Sequence, residues 1–218
     1  MTDFLPTFND DLSTTIQILI LLTVLSLAPS ILILMTCFTR IVIVLSFVRT
    51  GLATQQMPPN QVIIGLALFM TFFIMAPIFA DVNDQALSPL LAGEIDQEEA
   101  FDRAVIPMKE FMAKHTREKD LALFMGYAGM DRPETLDDIP LTALVPAFAI
   151  SEIKTAFQIG FFIFVPFLVI DMIVASVLMA MGMMMLPPVM IALPFKILLF
   201  VMVDGWHLIV KSLLLSFS

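Results

Sequence analysis

The 218-residue sequence is poor in the residues from which disulfides, zinc sites and catalytic centres are usually built. Its one cysteine, Cys37, excludes an internal disulfide and, within an apolar run, is expected to be a small inert hydrophobe. Two histidines and one cysteine do not make a typical zinc site without carboxylate ligands. The phosphate-binding loop, HExxH and GxSxG motifs are absent. The sequence therefore predicts a protein that is not an enzyme and uses no cofactor.

Charge is also scarce, and what there is of it is mostly acidic. Charged residues make up 14% of the chain, whereas soluble domains contain about 25%. Hydrophobic residues make up 59%. The formal net charge of −9 excludes the basic surface that nucleic-acid binding requires. This composition predicts a membrane protein.

Four apolar segments each exceed the ~20 residues that a helix needs to cross a bilayer. Backbone groups in lipid must bond within their own segment, so all four are predicted to be helical. The segments cover residues 12–39, 50–80, 155–186 and 189–215. The first pattern continues to Arg49, which gives roughly 57 Å of helix against a hydrocarbon core of ~30 Å. Pro29 and Pro166 are expected to kink such long helices.

The region between the second and third segments, residues 81–140, carries most of the acidic residues of the chain. Helical spacing of its apolar residues predicts one or two amphipathic helices, packed within the region or on a neighbour, and a turn near residues 131–133. The sequence therefore predicts that the chain has three parts: an N-terminal helical hairpin (1–80), an acidic extracytoplasmic helical region (81–140) and a C-terminal helical hairpin with a methionine-rich turn (141–218). The apolar residues at helical spacing are Phe101, Val105, Met108, Phe111 and Met112.

The methionine-rich turn, with the sequence MGMMMLPP at residues 181–188, joins the last two apolar segments. Thioether side chains are unbranched and adapt to many shapes. Three of them in a row, Met183, Met184 and Met185, give a soft uncharged surface that could close around something of no fixed shape. The alternative interpretation is plain filler that faces lipid or a core.

Ionisable residues inside the apolar segments are costly, by about 2.5–3.5 kcal/mol at bilayer depth, and usually face protein or water. Counting residues from the Pro187–Pro188 turn places Asp171 level with Asp204 and leaves Lys196 with no partner at its own level. This arrangement favours pairing with other subunits or helices that do not span conventionally. The alternative is a proton or ion path through Asp171.

Other polar residues lie near the ends of the segments. Glu152 and Lys154 are two positions apart and so face different sides of a helix, most simply as solvated flanks and otherwise as intersubunit contacts. His207 beside Trp206 indicates an anchor at the membrane interface.

The positive-inside rule gives a slight preference for one orientation. It places both termini and residues 81–140 outside, and residues 50–60 and 182–190 on the cytoplasmic side. Met1 to Asp11 lacks the basic start of a signal peptide, so either the first segment directs insertion or a leader has been removed. The basic residues counted are Arg40, Arg49 and Lys196 on one side, and Lys154 and Lys211 on the other.

Three stretches of the chain stand out. They read PS at 29–30 with TCFTRIVIVLSFVR at 36–49, QQMPPNQV at 55–62, and FVPFLVIDMIVASVLM at 164–179, followed by MMMLPP at 183–188 and LPFK at 193–196. They give the chain a specific resemblance to the FliP/SctR family of type III secretion export-gate proteins. The resemblance extends over nearly the whole chain from Leu12 onward. It differs at the start, because members of this family often have a cleavable leader and none is recognisable here.

The resemblance implies an all-α, membrane-associated fold of long kinked helical hairpins, with five copies in a ring joined by FliQ and FliR type subunits. FlhB and FlhA type components associate with this gate in the bacterial inner membrane, at the flagellar basal body, and unfolded proteins pass through it. The family is not catalytic, and Met183, Met184 and Met185 would form its constriction. Phe111 and Phe124 would be possible lumen aromatics, with core packing the favoured alternative. Intersubunit or buried charges would be Asp171, Lys196, Glu152, Arg40 and Arg49.

Overall fold

The computed structural model describes residues 14–54, 56–130, 133, 135–183 and 185–217. Over these residues the regular structure is entirely helical, which confirms the predicted all-α class. A π-helical stretch, Asn83–Leu87, joins α3 to α4. The α-helices are α1 (Thr14–Met35), α2 (Phe38–Gly51), α3 (Asn60–Val82), α4 (Ser88–Ala92), α5 (Gln97–His115), α6 (Glu118–Tyr127), α7 (Leu141–Ala180), α8 (Pro188–Met202) and α9 (Gly205–Leu215).

Two stretches of helix in the described chain are long and apolar enough to cross a membrane. They are Asn60–Ala92, of 33 residues, and Leu141–Ala180, of 40 residues. Two bent pairs, Pro29–Met35 with α2 and α8 with α9, raise the number to four if each pair forms one span. The four apolar segments of the sequence therefore all form helices, although two of them are broken.

The first apolar segment breaks at Thr36–Cys37, where the chain turns by 77° between Pro29–Met35 and α2. Helix α1 runs through Pro29, so the sharp bend lies beyond the proline that the sequence indicated. Threonine hydroxyls bond carbonyls that the helix leaves free there, since Thr36 Oγ1 donates to the Leu32 carbonyl and Thr39 Oγ1 to the Ile33 carbonyl at 2.6 Å. The predicted continuous helix to Arg49 is therefore wrong.

Helix α7 is the longest described helix, about 60 Å at ~1.5 Å per residue, and helices α1, α2, α5, α6 and α8 all contact it. Helix α2 runs parallel to its N-terminal half, because Arg40 meets Glu152 and, further along both helices, Phe47 packs on Phe157 with ring centroids 5.2 Å apart. The two helices are close enough that a Cβ at Gly160 would lie 2.5 Å from the Phe47 ring. This crossing therefore requires glycine.

Helix α8 runs antiparallel to α7, because Lys196 meets Asp171 and, further along α8, Phe200 meets the earlier Phe167. Phe200 of α8 packs against Phe167 with ring centroids 6.3 Å apart. After a 62° bend between α8 and α9, the chain reaches Phe217, close to Arg40 near the start of α2. Phe217 thus lies at the level of the N-terminal half of α7.

One hydrophobic core joins all three predicted parts of the chain. Helices α5 and α6 correspond to the amphipathic helices predicted within residues 81–140, and both contact α7. Polar bonds fix this contact, since the Arg117 backbone N–H donates to Ser151 Oγ at 3.0 Å and Ser151 Oγ donates to Asp120 Oδ2 at 2.8 Å. Residues 131 and 132 of the predicted turn lie outside the described residues. Core members from the three parts include Ile41, Val44, Ala67, Met112, Leu144 and Phe148.

Candidate functional site: an exposed methionine turn and two buried ion pairs

The methionine-rich turn between α7 and α8 has a backbone that its own sequence specifies. Gly182 takes a left-handed conformation, φ +74°, just after the last residues of α7. Its N–H donates to the Met179 carbonyl at 3.0 Å, and the Met183 N–H donates to the Leu178 carbonyl at 3.0 Å, so the end of α7 is capped in a Schellman arrangement. Pro188 then starts α8, where the missing N–H costs nothing.

The methionine side chains of this turn are open to the surroundings. Met185 is 98% exposed and Met183 is 46% exposed. Met184 lies outside the described residues. The turn therefore presents thioether groups at the end of the α7–α8 hairpin, where they touch little of their own chain.

Lys196 and Asp171 form an ion pair within the chain, 2.7 Å between Nζ and Oδ2. The sequence-based expectation that neither has a partner at its own level is wrong. It counted the residues of the turn as helix, whereas α7 ends at Ala180 and α8 begins at Pro188. Asp171 is about two and a half turns from one end and Lys196 about two turns from the other, which makes them level at ~3.6 residues per turn.

Lys196 also ties α8 to α2. Its ammonium donates to the Gly51 carbonyl at 3.1 Å, at the C-terminal end of α2, where a cation is favoured by the helix dipole. Gly51 is required here because a Cβ would lie 2.6 Å from the Phe167 ring. Lys196 is buried, and Asp171 Oδ1 is buried with no hydrogen-bond partner among the described residues. The pair therefore joins three helices at the boundary between the packed part of the molecule and the hairpin.

Asp204 is not one of the residues that join α2, α7 and α8 around Lys196. Helix α8 ends at Met202, before Asp204. Asp204 occupies a left-handed backbone conformation, φ 50°, at the bend into α9. Trp206 follows and packs edge-on against Phe200 with ring centroids 5.3 Å apart. His207 beside it is exposed, and its role as an interfacial anchor stays a prediction.

Arg40 and Glu152 form the second buried ion pair. Arg40 Nε donates to Glu152 Oε2 at 2.9 Å, and Nη2 bonds the other carboxylate oxygen. The remaining guanidinium nitrogen donates to the carbonyl and the hydroxyl of Ser216, each at 3.0 Å. The guanidinium carbon lies 3.8 Å from the centroid of the Phe217 ring. Each of the three guanidinium nitrogens is thus bonded within the chain, and the Phe217 ring covers one face of the group.

Glu152 is therefore not the solvated flank that the sequence indicated. It is fully buried, because α2 packs on its side of α7. Lys154 does face another way, since its side chain is half exposed and lies 3.8 Å from Asp120 Oδ1. Sequence reasoning missed Ser216 and Phe217, which are far from Arg40 along the chain and carry no motif.

His115 lies beside this buried ion pair, and sequence reasoning did not predict that it lies there. Its ring centroid is 4.9 Å from that of Phe111 and 5.3 Å from that of Phe217. Its Nε2 is buried without a hydrogen-bond partner in the described chain. Burial, and then the positive charges of Arg40 and Lys114, lower the pKa of His115 to about 4.

The remaining predicted site residues, Phe111, Phe124 and Arg49, lie in or near helix contacts within the chain. Phe111 is buried in the core against Phe148, so it does not present its ring to a passage. Phe124 is partly buried on α6. Arg49 Nη1 donates to Asn60 Oδ1 and holds the end of α2 to the start of α3. No group of three potential metal ligands occurs among the residues described.

Taken together, the main internal charges are paired inside one chain, and the helices outside the core keep apolar surfaces. These features define an α-helical membrane-associated protein whose distinctive exposed element is a methionine turn.

Comparison with known proteins assigns the family. The FliP family profile matches residues 21–213. The flagellar biosynthetic protein FliP of Bacillus subtilis is 71% identical over the full length of both chains. The protein of the same name from Pectobacterium carotovorum is 51% identical, over 100% of this chain and 84% of that one. The one from Aquifex aeolicus is 50% identical, over 94% and 86%. The chain belongs to the FliP family.

Proposed function

We propose that this chain is a pore-forming core subunit of the flagellar type III protein export gate, and that the methionine turn is its deformable constriction. The observation that carries the proposal is the near-complete exposure of Met185 at the end of a hairpin. Thioether side chains adapt to many shapes, and apolar constrictions close by excluding water. A ring of such turns would seal against ions and still admit an unfolded chain of any sequence.

The buried ion pairs support an assembly through apolar faces. Arg40 is satisfied by Glu152, Ser216 and Phe217, and Lys196 by Asp171 and Gly51, so neither cation requires a neighbouring copy for charge neutralisation. This leaves the exposed apolar side chains of α7 and α8 as contact surface. We propose that five copies, with FliQ and FliR type subunits, pack through these surfaces, with FlhB and FlhA type components alongside.

The placement proposed for the assembly is the bacterial inner membrane at the flagellar basal body, with residues 81–140 on the periplasmic side. The length of α7, about twice the hydrocarbon core, supports a gate whose helices extend beyond the bilayer.

The test is a pair of triple variants at the turn, in the gate complex reconstituted into vesicles. Replacing Met183, Met184 and Met185 with alanine removes most of the apolar volume, and we expect ion leakage and altered secretion. Replacing all three with leucine retains apolar bulk and should leave the vesicles tight. Met179→Ala is the matched control, because this methionine is 60% exposed but lies on α7 outside the turn. Tight vesicles with the triple alanine variant would contradict the proposal.

The alternative function, a small-solute or proton-coupled transporter that uses Asp171, differs in a measurable way. Its support is the unpartnered Oδ1 of Asp171, and its weakness is the ion pair with Lys196, which neutralises the carboxylate. Asp171→Asn retains an acceptor for Lys196 but cannot take up a proton. The transporter function predicts full assembly with no transport, whereas the gate predicts impaired assembly or mild effects on secretion.

A further inference from the structure

We propose that Met185, together with Met183, is a site of reversible oxidation by peroxide, and that the resulting sulfoxides open the constriction. The first half of this inference concerns the chemistry of the turn itself. The second half rests on the proposed function of the turn as a seal.

The exposure of methionine side chains differs widely across this protein. Met185 is 98% exposed, whereas Met75 and Met112 are fully buried in the core. Oxidation of a thioether requires the oxidant to reach the sulfur, so susceptibility follows exposure. The fold therefore makes Met185, the most exposed methionine among the described side chains, the first target and protects the core methionines.

Position on the chain separates Met185 from the exposed methionines of α7, and its greater exposure separates it from Met57, which is 66% exposed in the connection between α2 and α3. Met172 and Met179 lie on the apolar surface of α7, where lipid or neighbouring subunits would cover them. Met185 lies on the non-helical turn, between the left-handed Gly182 and Pro187. In the proposed gate this turn faces the passage, which water reaches whenever the gate conducts.

The chemical step is a two-electron oxidation of sulfur. A sulfur lone pair attacks one oxygen of hydrogen peroxide, the O–O bond breaks, and a sulfur–oxygen bond forms. The departing hydroxide takes up the proton released by the transferred oxygen and leaves as water. A dithiol reductant reverses the step, because it removes that oxygen as water and becomes a disulfide.

The product changes the physical character of the turn. A sulfoxide is polar and accepts hydrogen bonds, whereas a thioether is a weak acceptor that packs as a hydrophobe. A constriction that closes by excluding water cannot stay dry when its lining binds water. Oxidation at several copies would therefore raise ion conductance through an idle gate.

The first measurement maps oxidation in the reconstituted gate complex. The complex is treated with graded hydrogen peroxide and digested, and the sulfoxide at each methionine is quantified by peptide mass spectrometry. We expect Met185 to oxidise several-fold faster than Met75 and Met112, with Met183 between them. Equal rates at Met185 and the two core methionines would overturn the inference. They would not bear on the proposed constriction, because this experiment does not measure ion conductance.

The second measurement follows ion leakage from the same vesicles. Peroxide should raise leakage several-fold in vesicles with the natural sequence. A dithiol with methionine sulfoxide reductase should then lower the leakage to its original level. The triple leucine variant, which has no sulfur at positions 183–185, should stay tight. Selective oxidation without leakage would overturn the opening mechanism if the triple alanine variant leaks, and would overturn the proposed seal itself if that variant is also tight.

Discussion

The two halves of α7 contrast in how they are stabilised. From Leu141 to Gly160 the helix is covered by α2, α5 and α6, and it buries residues of every kind, including Ser151 and Glu152. Beyond Gly160 it buries little more than Phe167 and Leu178 and otherwise exposes large apolar side chains. The first half is stable through its own chain, whereas the second half depends on what surrounds it.

Charge follows the same division. The packed half contains the Arg40–Glu152 pair and a polar network that joins Arg117, Asp120 and Ser151. The hairpin half holds one ion pair, close to the junction with α2. The described part of the hairpin thus makes few polar bonds to the rest of the chain, and its end carries the exposed methionines of the turn. The comparison leads to four predictions, in order of decreasing effect.

The largest effect is expected at the buried pair of the packed half. Glu152→Ala leaves Arg40 buried and unpaired, and should lower the free energy of unfolding by about 3–5 kcal/mol. Thermal unfolding and the yield of purified protein measure this change. Lys154→Ala, at a half-exposed side chain two positions away, should change the free energy by no more than ~0.5 kcal/mol. If both variants unfold alike, the packed half does not depend on this pair.

The close contact of α2 with α7 should give the second effect. Gly160→Ala places a Cβ 2.5 Å from the Phe47 ring and should cost about 1–3 kcal/mol through overpacking. Gly65→Ala is the control, because nothing lies within 4 Å of that position on α3. Alanine there should be neutral or stabilising by up to about 1 kcal/mol. A neutral Gly160→Ala would show that the crossing can open.

A pH dependence should arise in the packed half from His115. Its pKa is about 4 in the folded protein, below the ~6.5 of the unfolded chain, so unfolding takes up a proton between these values. The stability that His115 contributes is complete above pH ~6.5 and falls as the pH drops toward 4. Unfolding temperatures at pH 7 and pH 5 should differ less in His115→Gln than in the natural sequence. His207→Gln, at an exposed histidine, should keep the natural difference, and an identical difference in both variants would contradict this assignment.

The smallest effect on stability is expected at the turn of the hairpin half. The Met183→Ala, Met185→Ala double variant removes side chains that touch little of the chain, so unfolding should change by less than ~0.5 kcal/mol. Thermal unfolding of the isolated protein in detergent measures it. A large loss of stability would mean that the turn packs within the chain, and the contrast between the two halves of α7 would disappear.

Sequence reasoning worked well where a local signal was present. Apolar length gave the four helical segments, and helical spacing gave α5. It failed at Asp171 and Lys196 because the number of non-helical turn residues decides which side chains are level. It failed at Glu152 because burial depends on which face α2 covers, and no local pattern encodes that choice.

The amino-acid sequence alone determined the membrane character, the family and the thioether chemistry of the turn, because hydropathy and motif order are properties of neighbouring residues. The tertiary structure decided which charges pair, where the long first segment breaks and which half of α7 is covered. Arg40 meets Ser216 only because the chain, after the bend between α8 and α9, brings the residues that follow α9 back to the start of α2. Contacts between distant residues depend on helix ends and packing faces, and these are settled only when the whole chain has folded.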